Sequence, residues 1–338
     1  MKTLLITGGA GFIGSNFIPY IMQKHNDYRI INLDLLTYAG DLENLKEVEN
    51  DPRYSFVKGD ICDRVLVEKI FNEQSIEGVI HFAAESHVDN SISGPEAFIR
   101  TNVFGTFTLL DVARKHWMEA PFKFKTGCEG NRFLHVSTDE VYGSLGETGF
   151  FTETTSYAPN SPYSASKASS DMLVRSYFQT YGLNVVTTNC SNNYGPKQHD
   201  EKLIPTIIRK ALTGQPIPIY GDGKNVRDWL YVTDHAKGID LVFEDGKAGE
   251  TYNIGGRNER TNNQIVDTIC GLLDKLKPKN GGGSYREQIT YVIDRAGHDK
   301  RYAIDADKIE NELGWSAVEN FETGILKTVE WYLANRHK

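Results

Sequence analysis

The 338-residue chain is 39% hydrophobic and 24% charged, with a net charge of −8. This is the composition of a globular protein long enough to bury its own core, as one large domain or two modest ones. The acidic balance argues against general affinity for nucleic acid, which needs a basic footprint, and no stretch has the length of a membrane span.

Taken in chain order, Lys2 to Thr7 reads as a short buried strand that runs straight into a glycine turn, too short an apolar stretch for a secretion signal. Phe12 to Lys24 reads as a helix and Arg29 to Asp34 as a second strand. Tyr54 to Gly59 is a third strand, Asp63 to Glu73 a helix, Gly78 to Ala83 a fourth strand, and Pro95 to Lys115 one long helix. Arg132 to Ser137 is a fifth strand, Tyr163 to Tyr181 a helix, and Asn184 to Asn189 a sixth strand. Strand and helix alternate, which predicts an α/β fold built on a doubly wound, Rossmann-like parallel sheet. After about residue 195 the rhythm changes. Pro196, Pro205, Pro216 and Pro218 and the turn at 221–223 interrupt it, and Tyr231 to Glu244 and Asn262 to Leu276 are the helical stretches. The expected division is 1–195, dinucleotide-binding and catalytic, and 196–338, a smaller mixed α/β region that mainly binds substrate and has the means to return strands to the main sheet. Segments 126–131 and 277–284 read as surface loops. Cys62, Cys128, Cys190 and Cys270 form no Cys-x-x-Cys pair, so no metal or disulfide framework is expected, and the plain reading is reduced thiols in a cytoplasm.

Gly9-Ala10-Gly11-Phe12-Ile13-Gly14 fits G-x-G-x-x-G between a strand and a helix. Such a turn brings backbone close to a pyrophosphate and sets it on a helix N-terminus. Asp34 lies twenty positions beyond Gly14, where a carboxylate binds ribose hydroxyls and repels a 2′-phosphate. That favours NAD over NADP. Asp60-Ile61 follows the third strand and either frames an adenine or leaves Asp60 as a helix cap.

Tyr163 and Lys167 are spaced i, i+4 and share a helix face. A lysine charge there lowers the tyrosine pKa and suits it to act as a base. Ser137-Thr138-Asp139-Glu140 ends a strand on the side where doubly wound sheets bind ligands. Removing water from a sugar needs one group to take a carbon-bound proton and another to protonate the leaving hydroxyl. Neighbours on a strand point to opposite faces, so Asp139 and Glu140 share a site only if the chain turns there. Otherwise they are a capping acid and a solvated one.

Gly8-x-x-Gly11-x-x-Gly14, Asp34, Asp60, Ala83-Ala84-Glu85-Ser86-His87, Asn102 and Tyr163-x-x-x-Lys167 together resemble the extended short-chain dehydrogenase/reductase family over nearly the whole chain. The string Ser137-Thr-Asp-Glu-Val-Tyr-Gly143 is most similar to its nucleotide-sugar 4,6-dehydratases, with Asn192-Asn193-Tyr194-Gly195-Pro196, 201–205, 218–221, 227–229 and 294–299 also matching. Ala296 stands where the family usually has proline. The resemblance implies that NAD is held by Gly8, Gly11, Phe12, Ile13, Gly14, Asp34, Thr37, Asp60, Ile61, Ala83, Ala84, Glu85, Thr101, Tyr163, Lys167 and Asn193. It implies that Tyr163 deprotonates the C4 hydroxyl as hydride leaves C4, with Lys167 positioning the nicotinamide ribose and Thr138 bonding the C4 oxygen. Glu140 then removes the C5 proton, Asp139 protonates the departing C6 hydroxyl, and hydride returns to C6.

For the substrate, the resemblance points to Ser86, Thr138, Asn192, Lys202, Leu203, Pro218, Ile219, Tyr220, Arg227, Asn262, Asp294, Arg295 and His298. Arg227 is the diphosphate partner, because a guanidinium fork matches phosphate oxygens, or else a surface arginine paired with Asp228 or Asp222. Tyr142 is either near the site or core. The substrate class is a nucleoside-diphosphate hexose, with dTDP-glucose favoured, UDP- and CDP-glucose open, and rhamnose-type deoxysugars as the destination. The resemblance also implies a homodimer through the helices at 95–115 and 163–181, using Phe98, Val103, Phe107, Leu110, Met172, Leu173, Tyr177 and Phe178. The rivals are a nucleotide-sugar 4-epimerase, which the Asp139-Glu140 pair disfavours, and a non-enzymatic NAD sensor, which the full set of catalytic groups disfavours.

Overall fold

A computed structural model describes residues 1–294 and 297–335. Its largest element is a seven-stranded, all-parallel sheet ordered Thr251–Ile254, Val185–Cys190, Arg132–Thr138, Gly78–His81, Lys2–Thr7, Tyr28–Asp34 and Tyr54–Lys58. The strands are apolar because helices cover both faces. Leu4 and Ile6 pack under the helix Phe12–Lys24, whereas Leu5 packs on the other face with Leu109, Leu110 and Val174. The order reverses between Lys2–Thr7 and Gly78–His81, and at that switch point the strand ends part to leave a crevice.

Thr251–Ile254 pairs with Val185–Cys190, so the C-terminal part does return a strand to the main sheet. The rest of that part builds two small sheets. Ile217–Tyr220 pairs with Ile289–Val292, and Val226–Tyr231 lies between Glu259–Thr261 and Asn192–Tyr194. Their common core joins Ile207, Ile219, Trp229, Ile269 and Phe321. The helices Leu203–Leu212, Asp307–Leu313 and Phe321–Ala334 carried no separate signal in the sequence reading.

One expectation needs correction, and one open alternative is decided. The segment expected as one long helix from Pro95 is broken. Pro95–Phe98 is α-helical, Ile99–Gly105 is a π-helix, and regular helix resumes at Thr106–Trp117. Wider turns of this kind mark places where tertiary demands override local geometry. Here the demand comes from Asn102. Its Oδ1 accepts from Glu85 N (2.8 Å), and its Nδ2 donates to Glu85 O (3.0 Å) and Ser166 Oγ (2.8 Å). The acid that caps the next helix is also Asp63, which accepts from Leu66 N. Asp60 instead accepts from Cys62 N at 2.8 Å.

Candidate active site

A cleft of about 310 Å3 opens over the strand ends at the switch point. One wall is the glycine turn. Gly8 has φ +71°, and a Cβ there would stand 2.6 Å from the backbone of Ala83. A Cβ on Gly14 would meet Gly8 O and Gly9 Cα, also at 2.6 Å. These two glycines let turn, helix and strand close together, while a Cβ on Gly11 would meet only Gly8 O, at 3.4 Å. The helix Phe12–Lys24 starts at Gly11 with no side-chain cap and no acid in its first turn. Its N-terminal amides and dipole are therefore left for an anion. Asp34 ends the second strand, and its carboxylate is fixed by amides of Ala10 (2.9 Å) and Leu36 (2.8 Å). Each oxygen keeps a lone pair for a further donor.

The catalytic candidates form the opposite wall. After Thr138 the chain enters a 3-10 turn, Asp139–Tyr142, with the Thr138 hydroxyl accepting from Glu140 N. That turn settles the face problem, because Thr138, Asp139 and Glu140 all line the cleft with Tyr163 and Lys167. The helix Pro162–Tyr181 presents Tyr163 from its first turn. It starts in a capping box in which Ser161 and Ser164 bond each other's backbone, the arrangement that fixes a helix N-terminus.

Asp139 is 1% exposed. Burial, then the charges of Glu140 and Asp228, push its carboxyl well above the usual range, in the direction that favours the protonated form. Its Oδ2 has no hydrogen-bond partner among the described residues. Tyr163 differs from expectation: burial, then Glu140, raise its hydroxyl well above the ordinary value, with Thr138 donating partial relief. Burial was invisible in the Tyr-x-x-x-Lys spacing. Lys167 donates to Val136 O at 2.9 Å, and burial pulls its ammonium down to about 8.

The cleft gathers every residue expected at the cofactor, and of the substrate set it holds Ser86, Thr138, Asn192 and Lys202. Lys202 Nζ reaches across to Ser86 O at 2.9 Å. Leu203, Pro218, Ile219, Tyr220, Arg227, Asn262, Asp294 and His298 lie outside its lining, and Arg295 and Ala296 fall outside the described residues. Ile219 is 1% exposed and belongs to the C-terminal core, because on a strand its neighbours Pro218 and Tyr220 face the other way. Tyr220 and His298 meet edge to face at 6.4 Å, and His298 Nδ1 is 2.6 Å from Asp294. Asn262 opens the helix Asn262–Leu276, its N–H donating to Asn225 O. Arg227 is no surface arginine. It is buried, donates to Val226 O and Asp299 O, and lies 4.2 Å over the Tyr302 ring. Asp228 accepts from Gly256 N and Asn258 N. Tyr142 is core, its hydroxyl donating to Asn253. The sequence reading missed Cys190, Ser191, His199 and Glu201, which also line the cleft. Their only signal was adjacency to Asn192 and Lys202. Among the described residues no His/Cys/Asp/Glu group is arranged to hold a metal.

A dinucleotide cradle facing a Tyr–Lys pair on a doubly wound sheet defines a nucleotide-dependent enzyme of the short-chain dehydrogenase/reductase class. The family model described as GDP-mannose 4,6 dehydratase matches residues 5–328, and the chain belongs to this family. A dTDP-glucose 4,6-dehydratase of Xanthomonas campestris pv. campestris is 57% identical over 336 residues, covering 99% of this chain and 94% of the relative. A solved dTDP-glucose 4,6-dehydratase of Streptomyces venezuelae, with NAD and dTDP bound, superposes with a TM-score of 0.89 at 46% identity, covering 99% and 98% of the two chains. A UDP-glucose 4-epimerase of Thermotoga maritima reaches a TM-score of 0.86 at only 29% identity, covering 99% and 100%. The fold is thus common to both chemistries, and the side chains of the cleft must separate them.

Proposed function

We propose that the chain is an NAD-dependent hydro-lyase that converts dTDP-glucose to dTDP-4-keto-6-deoxyglucose. The observation that carries this reading is the 3-10 turn that brings Asp139 and Glu140 into one cleft with Tyr163. The 57% identical relative is a dTDP-glucose 4,6-dehydratase, which supports the base and the sugar. The glycine cradle and the fixed Asp34 carboxylate fit NAD, and Gly8, Gly11, Phe12, Ile13, Gly14, Asp34, Thr37, Asp60, Ile61, Ala83, Ala84, Glu85, Thr101, Asn193, Tyr163 and Lys167 would hold it. Bound NAD supplies reversible hydride transfer.

The chain's own residues do the rest. Tyr163 would take the C4 hydroxyl proton, its raised hydroxyl brought down again by the positive charge that bound NAD supplies, with Thr138 hydrogen-bonding the C4 oxygen. A ketone at C4 acidifies the C5 proton, and Glu140 removes it. Asp139, whose carboxyl burial pushes toward the protonated form, gives its proton to the C6 hydroxyl as it leaves. An elimination requires one group that gives a proton and one that takes one. Residues 1–195 bind cofactor and carry catalysis, while 196–338 mainly hold the substrate, with Arg227 directed at the diphosphate. Ser86, Asn192 and Lys202 line the cleft where the sugar would sit, and Leu203, Pro218, Tyr220, Asn262, Asp294, Arg295 and His298 are the further residues assigned to the substrate.

The decisive experiment supplies dTDP-glucose in D2O and weighs the product. One water lost and one deuterium at C5 is expected. An isomer of unchanged mass would mean epimerisation, and turnover of UDP- or CDP-glucose alone would change the base. A second test addresses Asp34. Asp34→Ser removes the charge that repels a 2′-phosphate, so the preference for NAD over NADP is expected to fall at least roughly tenfold. An unchanged preference would assign the discrimination elsewhere.

The protein further acts as a homodimer in the cytoplasm, in a route to deoxysugars such as rhamnose. No helix among the described residues is long and apolar enough to cross a membrane. Phe98, Leu110 and Tyr177 are buried within the chain itself, so they supply no contact to a second copy. On the same helices Ile99, Phe104 and Met172 are 51%, 49% and 51% exposed, and these are the apolar side chains a partner would cover.

A further inference from the structure

Beneath the Tyr163–Lys167 pair lies a second layer of polar side chains that the reaction sequence above does not use. Tyr163, Lys167 and Asp171 follow one another at i, i+4 and i+8 and so share a face of the helix Pro162–Tyr181. Asp171 is 5% exposed, an unusual place for a carboxylate without compensation. Ser137 Oγ donates to its Oδ2 at 2.8 Å, and the Tyr157 hydroxyl donates to the same oxygen at 3.0 Å. Its other oxygen lies 3.1 Å from His135 Nε2, and that nitrogen is 3.4 Å from Lys167 Nζ. The imidazole therefore sits between carboxylate and ammonium, fully enclosed.

We infer that Asp171 is a positioning residue for the known chemistry of this site: it is the counter-ion that keeps Lys167 charged inside the protein, with His135 as a neutral spacer between them. The inference rests on the role given above to Tyr163 and Lys167.

The neighbouring groups leave Asp171 in this part. His135 and His81 are pushed far below the ordinary imidazole range by burial, so both are neutral. Burial pushes the Cys190 thiol up to about 12, and burial raises Tyr142 and Tyr157 as well. Each of these groups faces the pair and carries no charge near neutrality. Burial alone drives Lys167 toward the neutral amine, and the Asp171 charge acts against it. Reciprocally, burial lifts Asp171 to about 6, and Lys167 acts against that rise. The carboxylate is lost as pH falls through about 6, and the ammonium is lost as pH rises through about 8. The charged pair thus exists between those limits, and activity is expected to be bell-shaped around them.

The test is a pH titration of the full chain isotope-labelled at lysine Cε, with Lys167→Arg used to assign the resonance. In Asp171→Asn the Lys167 midpoint is expected to fall by about one pH unit or more, a tenfold change in protonation. The alkaline limb of kcat should move with it, while KM for dTDP-glucose changes little. A Lys167 midpoint equal in parent and variant would overturn the inference. Should Asp171→Asn fail to fold, Tyr157→Phe addresses the same pair. It removes a donor to the charged carboxylate, so the acid limb should move up and the alkaline limb stay, and an unmoved acid limb would count against Asp171. The resonance titrates whether or not the sugar turns over, so a wrong substrate reading and a wrong role for Asp171 are told apart.

Discussion

Glu140→Gln is expected to lower product formation by about 10²–10⁴-fold while leaving C4 oxidation in place. Glutamine keeps the size of the side chain and its place in the 3-10 turn, but it cannot accept a proton from carbon. The variant should therefore stall with the reduced cofactor visible by its absorbance. It should place no solvent deuterium at C5. A second consequence follows from the electrostatics. The Glu140 charge helps hold both the Asp139 carboxyl and the Tyr163 hydroxyl above their ordinary ranges. Removing it relaxes both downward, so oxidation at C4 should be no slower than in the parent. Product formed at the parent rate would sink the assignment of Glu140 as the C5 base. Loss of C4 oxidation together with elimination would place Glu140 in the first step instead.

Gly8→Ala should cost the protein its cofactor. At φ +71° any L side chain is strained, by about 1–2 kcal/mol, and the added methyl would sit 2.6 Å from the Ala83 backbone. That neighbour is main chain, so the turn or the end of the fourth strand must move. Either shift opens the cradle where Gly11 and the first amides of the helix Phe12–Lys24 face the cleft. The purified variant is expected to carry little bound NAD and to melt several degrees below the parent, with kcat falling in proportion to the cofactor retained. Full cofactor content at the parent melting temperature would show that the close packing of Gly8 on Ala83 is dispensable. By contrast a Cβ on Gly11 meets nothing nearer than 3.4 Å, so Gly11→Ala should spare stability and affect binding alone.

Much of this site is local in the chain and so was legible in the sequence. The glycine turn, Asp34 and the Tyr163–Lys167 spacing lie within single strand–turn–helix units, where a short window holds the whole signal. Asp139 and Glu140 were legible as chemistry, although only the turn after Thr138 shows that they share a face. What escaped depends on contacts between distant segments. The π-helical break at Ile99–Gly105 follows from Asn102 reaching Glu85 and Ser166, partners 17 and 64 positions away. The burial of Arg227 depends on Asp299 and Tyr302, 72 and more positions on. The direction in which the Tyr163 hydroxyl shifts was missed for the same reason, since pattern reports which residues are neighbours and is silent on how much water surrounds them.

The strand Thr251–Ile254 forms an outer edge of the seven-stranded sheet, yet it is supplied by the second half of the chain. A polypeptide ending near residue 195 would expose the backbone of Val185–Cys190, including Cys190 beside the catalytic cleft, as an unpaired rim open to self-association. During synthesis residues 1–195 must therefore wait for more than fifty further residues before the sheet is complete.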